Sequence, residues 1–335
     1  MHNVKRVDYE AVSQAEREKK LKKVKHYSKL SKVVLKAHRE GVFSSKMFEL
    51  TGSLIAINPD FYSLWNYRRE SVIRMIQANP EEKKSICEEE MKLAESALRK
   101  NPKSYYAWHH RLWVIAKGTT NLKTEIGLCS KYLGYDSRNF HCWNYRRYVM
   151  MVGKVPLGEE LHFSSSKIDE NFSNYSAWHH RSFIIPKLLD SAGKDNIRNL
   201  IDEEFSLLQQ AFFTDPGDQS AWLYHRWLLG LVIGLGVKKD SKSLTEPKKV
   251  LIAEKEGQIK ILQREKNVAE ELLEVEPDCK WALLAIAFLI GGLKARGVHN
   301  DKFNKRISNI FKGLRNLDAD RRNYYSDIEK LLGSS

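Results

Sequence analysis

The sequence predicts an all-α fold, an α-solenoid in which helix pairs stack on one another along the chain. Three observations predict it: a repeated tryptophan motif, amphipathic segments between its copies, and the absence of an alternating strand pattern. Five copies align without gaps: NPDFYSLWNYRR from Asn58, NPKSYYAWHHRL from Asn101, DSRNFHCWNYRR from Asp136, NFSNYSAWHHRS from Asn171 and DPGDQSAWLYHR from Asp215. The aligned tryptophans are Trp65, Trp108, Trp143, Trp178 and Trp222, and a degenerate sixth copy carries Trp281.

The first predicted element is a basic N-terminal helical lead over residues 1–40, with the helix itself over 9–40. Residues 1–46 hold 13 of the 56 Lys and Arg residues against 5 Asp and Glu, so they carry +8 of the net charge of +14. Such a helix could bind nucleic acid or an anionic membrane. Because acidic and apolar residues interrupt the basic ones, the pattern favours a solvated helix face that meets an acidic partner, and no nucleic-acid partner is expected.

Residues 41–335 are predicted to form a single solenoid of about six to seven helix pairs. Asn or Asp opens each copy as an N-cap or turn residue, often with Pro after it, and a helix follows. The intervening segments Ser85–Lys100 and Leu122–Leu133 have the apolar spacing of amphipathic helices, and Asp301–Leu332 gives one or two closing helices. The polar stretch Val237–Lys249 is the best linker candidate.

Two sets of repeated side chains are predicted to have structural roles. An aromatic residue three before the tryptophan is expected on the tryptophan's helical face, in the seam between helices. These aromatic residues are Tyr62, Tyr105, Phe140 and Tyr175. The arginine three after the tryptophan is expected to join neighbouring repeats through carboxylates or helix-end carbonyls rather than to bind a ligand. These arginines are Arg68, Arg111, Arg146 and Arg181.

Positions at which one copy departs from the others are better candidates for a functional site. Lys103 is one of two basic residues found five before the tryptophan, and His141 is the one imidazole found two before it. Lys103, Tyr105 and His141 belong to neighbouring repeats and lie at the same end of their helix pairs. A cation, a phenol and an imidazole there could hold an anion such as a phosphate, although a lysine after proline is more often a solvated turn residue.

Several other classes of protein are excluded. The doublets His109-His110 and His179-His180 lack metal-ligand spacing, and we interpret them as packing residues. The four cysteines form no CxxC pair, and phosphate-loop, nucleophile-elbow and kinase motifs are missing. The chain also lacks an apolar N-terminal segment and a run long enough for a transmembrane segment. A soluble, cytoplasmic protein is expected.

The strings WNYRR and WHHR after N-P-x-x-Y resemble the repeats of protein prenyltransferase α subunits, and the similarity covers nearly the whole chain. LIAINPDFYSLWNYRRE and AFFTDPGDQSAWLYHRWLLG are most similar to the Rab geranylgeranyltransferase (type II) branch. The resemblance implies a right-handed α-α superhelix wrapped around a β subunit. It also implies transfer of geranylgeranyl from geranylgeranyl diphosphate to C-terminal cysteines of Rab GTPases presented by a Rab escort protein.

In that family the β subunit carries Zn²⁺, so this chain is expected to bind no cofactor or metal by itself. The resemblance assigns Lys103, Tyr105 and His141 as catalytic residues, with Lys103 and His141 binding the diphosphate. It also suggests that His2 makes an autoinhibitory contact with the β-subunit zinc. The chain resembles the compact form of the family, without immunoglobulin-like or leucine-rich-repeat domains.

Two alternatives stay open. The chain could be the α subunit of farnesyltransferase or geranylgeranyltransferase type I, acting on CaaX proteins. It could instead be a non-catalytic peptide-binding scaffold of the tetratricopeptide kind. The scaffold interpretation has no use for Lys103 and His141 in register on adjacent repeats, and it favours a uniform repeat of about 34 residues.

Overall fold

The computed structural model of the chain describes residues 13–191, 193–234 and 254–333, and these residues form helices and turns without any strand. The predicted all-α fold is confirmed. The α-helices of the described residues are α1 Gln14–Arg39, α2 Ser45–Ile57, α3 Tyr62–Ala78, α4 Lys83–Lys100, α5 Tyr105–Ile115, α6 Leu122–Tyr135, α7 Phe140–Gly153, α8 Leu157–Glu170, α9 Tyr175–Ser191, α10 Lys194–Thr214, α11 Gln219–Ile233, α12 Lys255–Val275, α13 Lys280–Lys294, α14 Lys302–Leu317 and α15 Arg322–Gly333. His2 and the linker candidate Val237–Lys249 lie outside the described residues.

The leading helix α1 begins with a capping box, in which the Ser13 hydroxyl accepts from the backbone N–H of Glu16 and the Glu16 carboxylate accepts from that of Ser13. It ends before Gly41, whose φ of +67° is a left-handed conformation that glycine adopts without strain. Among the residues of α1, Ser31, Val34 and Ala37 are buried. The helix therefore packs through its C-terminal half.

From α2 onward, each even-numbered helix packs against the odd-numbered helix that follows it, which gives the predicted helix pairs. Odd-numbered helices also contact each other, as α3 does with α5, α5 with α7, α9 with α11 and α11 with α13. The amphipathic segments predicted at residues 85–100 and 122–133 lie in α4 and α6, and the closing region contains α14 and α15. Each pair thus buries its apolar surface on its neighbours.

The residue that opens each motif copy is the C-cap of the preceding helix, not the N-cap of the next. In the first four copies its side-chain oxygen accepts the backbone N–H two residues later, as Asn101 Oδ1 does from Lys103 N at 3.1 Å. The N-cap is a later residue, Ser104 in α5 and Asn139 in α7. The motif therefore encodes a whole turn between two helices.

The repeated tryptophan holds that turn closed. Its indole Nε1 donates to the backbone carbonyl oxygen six residues upstream, over 2.8 Å from Trp65 to Pro59 and from Trp108 to Pro102. Trp143, Trp178 and Trp222 make the same bond at 2.8–3.1 Å, whereas Trp281 donates to Gly217 of the preceding copy. The first five are at most 5% exposed. A buried indole that satisfies its donor inside its own turn explains why tryptophan recurs.

The prediction for the aromatic residue three before each tryptophan is wrong. Tyr62, Tyr105, Phe140 and Tyr175 are 54–60% exposed, while the tryptophans are buried in the seam between helices. Each aromatic residue is the first residue of its helix. Side chains there lean towards the helix N-terminus and pass beyond the packed turns. These aromatic rings therefore form an exposed surface at the helix starts.

The described helices fall into two compact units, which meet in sequence at Val155 and Pro156. The first contains α1 to α7 and the second α8 to α15. Both are built from the same helix pairs. The assignment of residues 41–335 to one solenoid domain stays a prediction. None of the described helices is both long and apolar enough to cross a membrane.

Candidate functional site

Buried glutamates join neighbouring helix pairs. Glu90 of α4 accepts hydrogen bonds from Arg68 of the preceding pair, with 2.8 Å between Arg68 Nε and Glu90 Oε2. The same carboxylate contacts His110 Nε2 of its own pair at 2.9 Å. The same arrangement joins Glu125 to Arg111 and Tyr145, and Glu204 to Arg181 and Tyr224.

Electrostatics favours the ionised forms of Glu90 and Arg111. Burial raises the pKa of Glu90, but the bonds from His110 and Arg68 outweigh it and leave the pKa below its usual value. Burial lowers the pKa of Arg111, and the contacts with Glu125 outweigh that effect and raise it. Arg146 is also buried and donates to the Ser130 hydroxyl at 2.9 Å. The repeated arginines therefore serve the interior of the fold and are not exposed to a ligand.

The sequence contained a signal for these contacts that the motif comparison missed. A glutamate precedes the tryptophan by eighteen residues in four successive copies, at Glu90, Glu125, Glu160 and Glu204. All four are buried. A repeated acid inside an amphipathic helix requires a buried cation or donor, and the arginine three after the tryptophan supplies it in the pairs of Glu90, Glu125 and Glu204.

The histidine doublet of the second copy separates into two environments. His110 is fully buried on Glu90, whereas His109 is exposed and lies 2.8 Å from Arg69 through its Nδ1 and the arginine Nη1. Burial, with the charge of Arg69 second, lowers the pKa of His109. Across the described part of the chain, no group of three or more His, Cys, Asp and Glu residues could hold a metal ion.

The candidate site lies at the turns before α5 and α7. Lys103, in the turn before α5, forms an ion pair with Asp136, whose Oδ2 is 3.1 Å from the lysine Nζ. Both side chains are only partly exposed, at 39% and 36%. Burial raises the pKa of Asp136, but the bonds from Lys103 and from the backbone N–H of Arg138 outweigh it and lower the pKa. The lysine is predicted by its departure from the repeat, whereas no departure marks its acidic partner, which opens the next motif copy.

The structure brings Tyr105 and His141 together. Tyr105 is the first residue of α5 and His141 the second residue of α7, and their ring centroids are 5.9 Å apart in an edge-on contact. Lys103 is held at the same pair of turns by Asp136, not by a contact with either ring. We call Lys103, Tyr105, His141 and Asp136 the turn cluster. It places a cation and two polar rings on adjacent helix starts.

Partial burial favours the neutral form of the imidazole in the turn cluster. Partial burial lowers the pKa of His141, and the negative charge of Asp60 offsets only part of that effect. Asp60 is itself fixed by a hydrogen bond from Asn101 Nδ2 to its Oδ2 at 2.9 Å. A neutral imidazole has one N–H to donate, so the cluster offers one cation and two neutral donors to an anion.

An apolar cavity lies elsewhere, in the second unit. It has a volume of about 490 Å³ and is enclosed by α11, α13 and α15, with Trp222, Leu229, Phe288 and Tyr324 in its wall. A large apolar cavity is the usual first candidate for a ligand site. None of the predicted site residues except Trp222 lines it. We base the candidate site on the turn cluster because Lys103 and His141, the residues that depart from the repeat, lie there and not in this cavity.

Comparison with known proteins identifies the repeat. The family described as "Protein prenyltransferase alpha subunit repeat" matches residues 44–75, 87–118, 122–151, 157–188 and 201–232. Each match covers parts of one even-numbered helix and of the odd-numbered helix after it. One repeat of this family therefore corresponds to one helix pair of the structure.

Curated relatives share one description. The chain is 33% identical over 337 residues to "Geranylgeranyl transferase type-2 subunit alpha" of Dictyostelium discoideum, which covers 98% of this chain and 99% of that protein. It is 44% identical over 227 residues to the Sus scrofa protein of the same name, covering 66% of this chain and 40% of that one. The chain thus spans nearly all of the first relative and less than half of the second.

A solved structure shares the fold. Candida albicans protein geranylgeranyltransferase-I complexed with GGPP contains a chain that is similar with a TM-score of 0.69. The match covers 92% of this chain and 91% of that one, at 19% identity. At this identity the likeness concerns the arrangement of helices and leaves the substrate open.

Proposed function

The chain belongs to the protein prenyltransferase α-subunit family, and we propose that it is the α subunit of a geranylgeranyltransferase of the Rab type. The observation that carries the proposal is the similarity to a type-2 α subunit along 98% of the chain. The reaction moves geranylgeranyl from its diphosphate to C-terminal cysteines of Rab GTPases. A Rab escort protein presents the substrate.

In this proposal the turn cluster binds the diphosphate. The bond between the isoprenoid carbon and the diphosphate oxygen breaks, its electron pair stays on the diphosphate, and the acceptor sulfur forms the new carbon–sulfur bond. Negative charge therefore grows on the leaving group. The Lys103 ammonium, released from Asp136, together with the Tyr105 hydroxyl and the His141 N–H, stabilises that charge as the bond breaks.

The remaining components are assigned to other chains. We place the zinc ion on a partner β subunit, where it would activate the acceptor thiol as a thiolate. The family name, which describes an α subunit, supports the existence of such a partner. A cytoplasmic site of action and an autoinhibitory role for His2 stay predictions, and His2 lies outside the described residues.

The test is Lys103→Ala in the enzyme assembled with its β subunit. We expect the single-turnover transfer rate to fall about 100- to 1000-fold, as for loss of one donor to a developing anion. The affinity for geranylgeranyl diphosphate should fall much less. Lys131→Ala, an exposed lysine outside the turn cluster, is the matched control and should keep its rate. An unchanged transfer rate in Lys103→Ala would remove Lys103 from the mechanism.

The acceptor distinguishes the proposal from the open alternatives. The same assembled enzyme is assayed with a Rab protein plus escort protein and, separately, with a CaaX peptide. Transfer to the Rab protein and not to the peptide supports the proposal. Transfer to the peptide without an escort protein would instead identify a farnesyltransferase or type I α subunit, and no transfer with any β subunit would favour the scaffold.

A further inference from the structure

Five lysines lie in one row along the exposed face of α1. Lys22, Lys25, Lys29, Lys32 and Lys36 alternate between spacings of three and four residues, which places them on one side of a helix. All five are exposed. With a rise of 1.5 Å per residue, the row is about 21 Å long. We call this row the lysine stripe.

The helix that carries the lysine stripe is largely uncovered. Every residue from Ser13 to His26 is exposed, including Leu21 and Val24, which are 53% and 55% exposed. The buried residues of α1 occur only at position 31 and beyond. The N-terminal half of α1 therefore presents its charge without cover from the described part of the chain.

Most of the charge of the lysine stripe is not neutralised by the described residues. Lys36 forms an exposed pair with Glu40 at 3.8 Å, and the other four lysines have no carboxylate partner within residues 13–191, 193–234 and 254–333. Residues 14–39 contain ten Lys and Arg residues and two glutamates. A net positive charge of this density favours binding to an extended anionic surface.

We propose that the lysine stripe binds the surface of an anionic phospholipid bilayer. Specific protein interfaces rely on aromatic and arginine anchors in a desolvated centre, and the stripe has neither among its five residues. Lysine acts as a hydrated point charge, which suits the diffuse field of anionic headgroups. Further exposed lysines at positions 19, 20 and 23 widen the charged surface, as contact with a plane requires. Vesicle binding needs no transferase activity, so this inference is independent of the proposed function.

The experiment is co-sedimentation of the assembled enzyme with vesicles of 30% phosphatidylserine in phosphatidylcholine and with pure phosphatidylcholine vesicles. We expect binding to the anionic vesicles alone, and weaker binding as salt rises. A K22Q/K25Q/K29Q/K32Q variant keeps good helix formers and removes four charges. Each lysine near an anionic bilayer contributes roughly fivefold, so the variant should lose about 100-fold or more in vesicle partitioning.

A matched control removes the same charge elsewhere. K131Q/K302Q/K305Q/K312Q changes four exposed lysines outside α1 and should bind anionic vesicles as the unmodified enzyme does. Equal losses in the two variants would show a net-charge effect and overturn the assignment to α1. Equal binding to both kinds of vesicle would also overturn it. Binding to polyglutamate without any binding to vesicles would assign the stripe to an acidic polypeptide instead.

Discussion

The buried contacts of Glu90 and the exposed turn cluster use the same kinds of side chain in opposite ways. Glu90, Arg68 and His110 lie in the interior, where the Glu90 carboxylate contacts both of the other side chains. Lys103 and Asp136 are partly exposed, so their pair exchanges with water and ions. The depth of burial decides which group of charges stabilises the fold and which can bind a ligand.

The comparison also explains which positions of the motif repeat. Tryptophan recurs in five copies and the buried glutamate in four of them because these helix pairs share the same turn and the same internal contact. Positions in the exposed turns vary because packing does not constrain them. Lys103 and His141 are therefore free to differ from the other copies, and such freedom is what a local binding site requires.

The largest change in the free energy of unfolding is expected from Glu90→Ala, which breaks the buried contacts. The variant leaves Arg68 and His110 buried without their carboxylate, and we expect the free energy of unfolding to fall by about 3–5 kcal/mol. Urea denaturation measures the loss. The double variant Arg68→Met/Glu90→Leu, which removes both charges, should recover part of it. A loss under about 1 kcal/mol in the single variant would mean that Glu90 is no more important than a surface pair.

A smaller change in the free energy of unfolding is expected when the pH is lowered and His110 titrates. Burial lowers the pKa of His110, although its contact with Glu90 opposes that change. Because the unfolded chain takes up a proton near pH 6.5 and the folded chain only at lower pH, stability should fall as the pH drops below about 6.5. The slope is at most about 1.4 kcal/mol per pH unit for one group. Because the pKa of Glu90 is lowered, its protonation adds a further loss of stability only in more acidic solution.

Unfolding free energies at pH 7.5 and 5.5 check this prediction. The unmodified chain should lose more stability over this interval than His110→Gln, which keeps a donor for Glu90 and has no imidazole to titrate. The comparison uses the difference between the two pH values, so a constant packing loss in the variant does not affect it. Identical pH slopes would show that His110 does not couple to folding.

The smallest effect is expected from Asp136→Asn in the turn cluster. The variant keeps an acceptor for the backbone N–H of Arg138 and removes the charge that pairs with Lys103. We expect the free energy of unfolding to change by less than about 1 kcal/mol. Affinity for inorganic pyrophosphate, measured by calorimetry, should rise a few-fold because Lys103 no longer exchanges partners. Weaker binding would show that Asp136 positions the lysine instead of competing with the anion.

Much of the fold could be predicted because its signals are local and repeated. The helix pairs follow from apolar spacing, and the turns follow from the Asn-Pro and tryptophan positions. The exposure of Tyr105 and its equivalents could not be predicted from spacing, since the helix begins at that residue and the end of a helix is the least certain feature of a sequence pattern.

The candidate site could be predicted only in part. Departures from the repeat identified Lys103 and His141, but not the partners Asp136 and Asp60, which lie in other copies of the motif. The buried glutamates had a regular spacing and could have been found with it. The pairing of Arg69 with His109, forty residues apart, carried no such signal.

The sequence by itself determined the helical repeat and the family, because each depends on residues close together in the chain. Only the tertiary structure decided which charges are buried against Glu90, that the lysine stripe of α1 is exposed, and how Lys103 meets Asp136. Those outcomes depend on contacts between residues distant in sequence. Burial changes the strength of such contacts several-fold. A periodic sequence pattern does not show how deeply each charged group is buried.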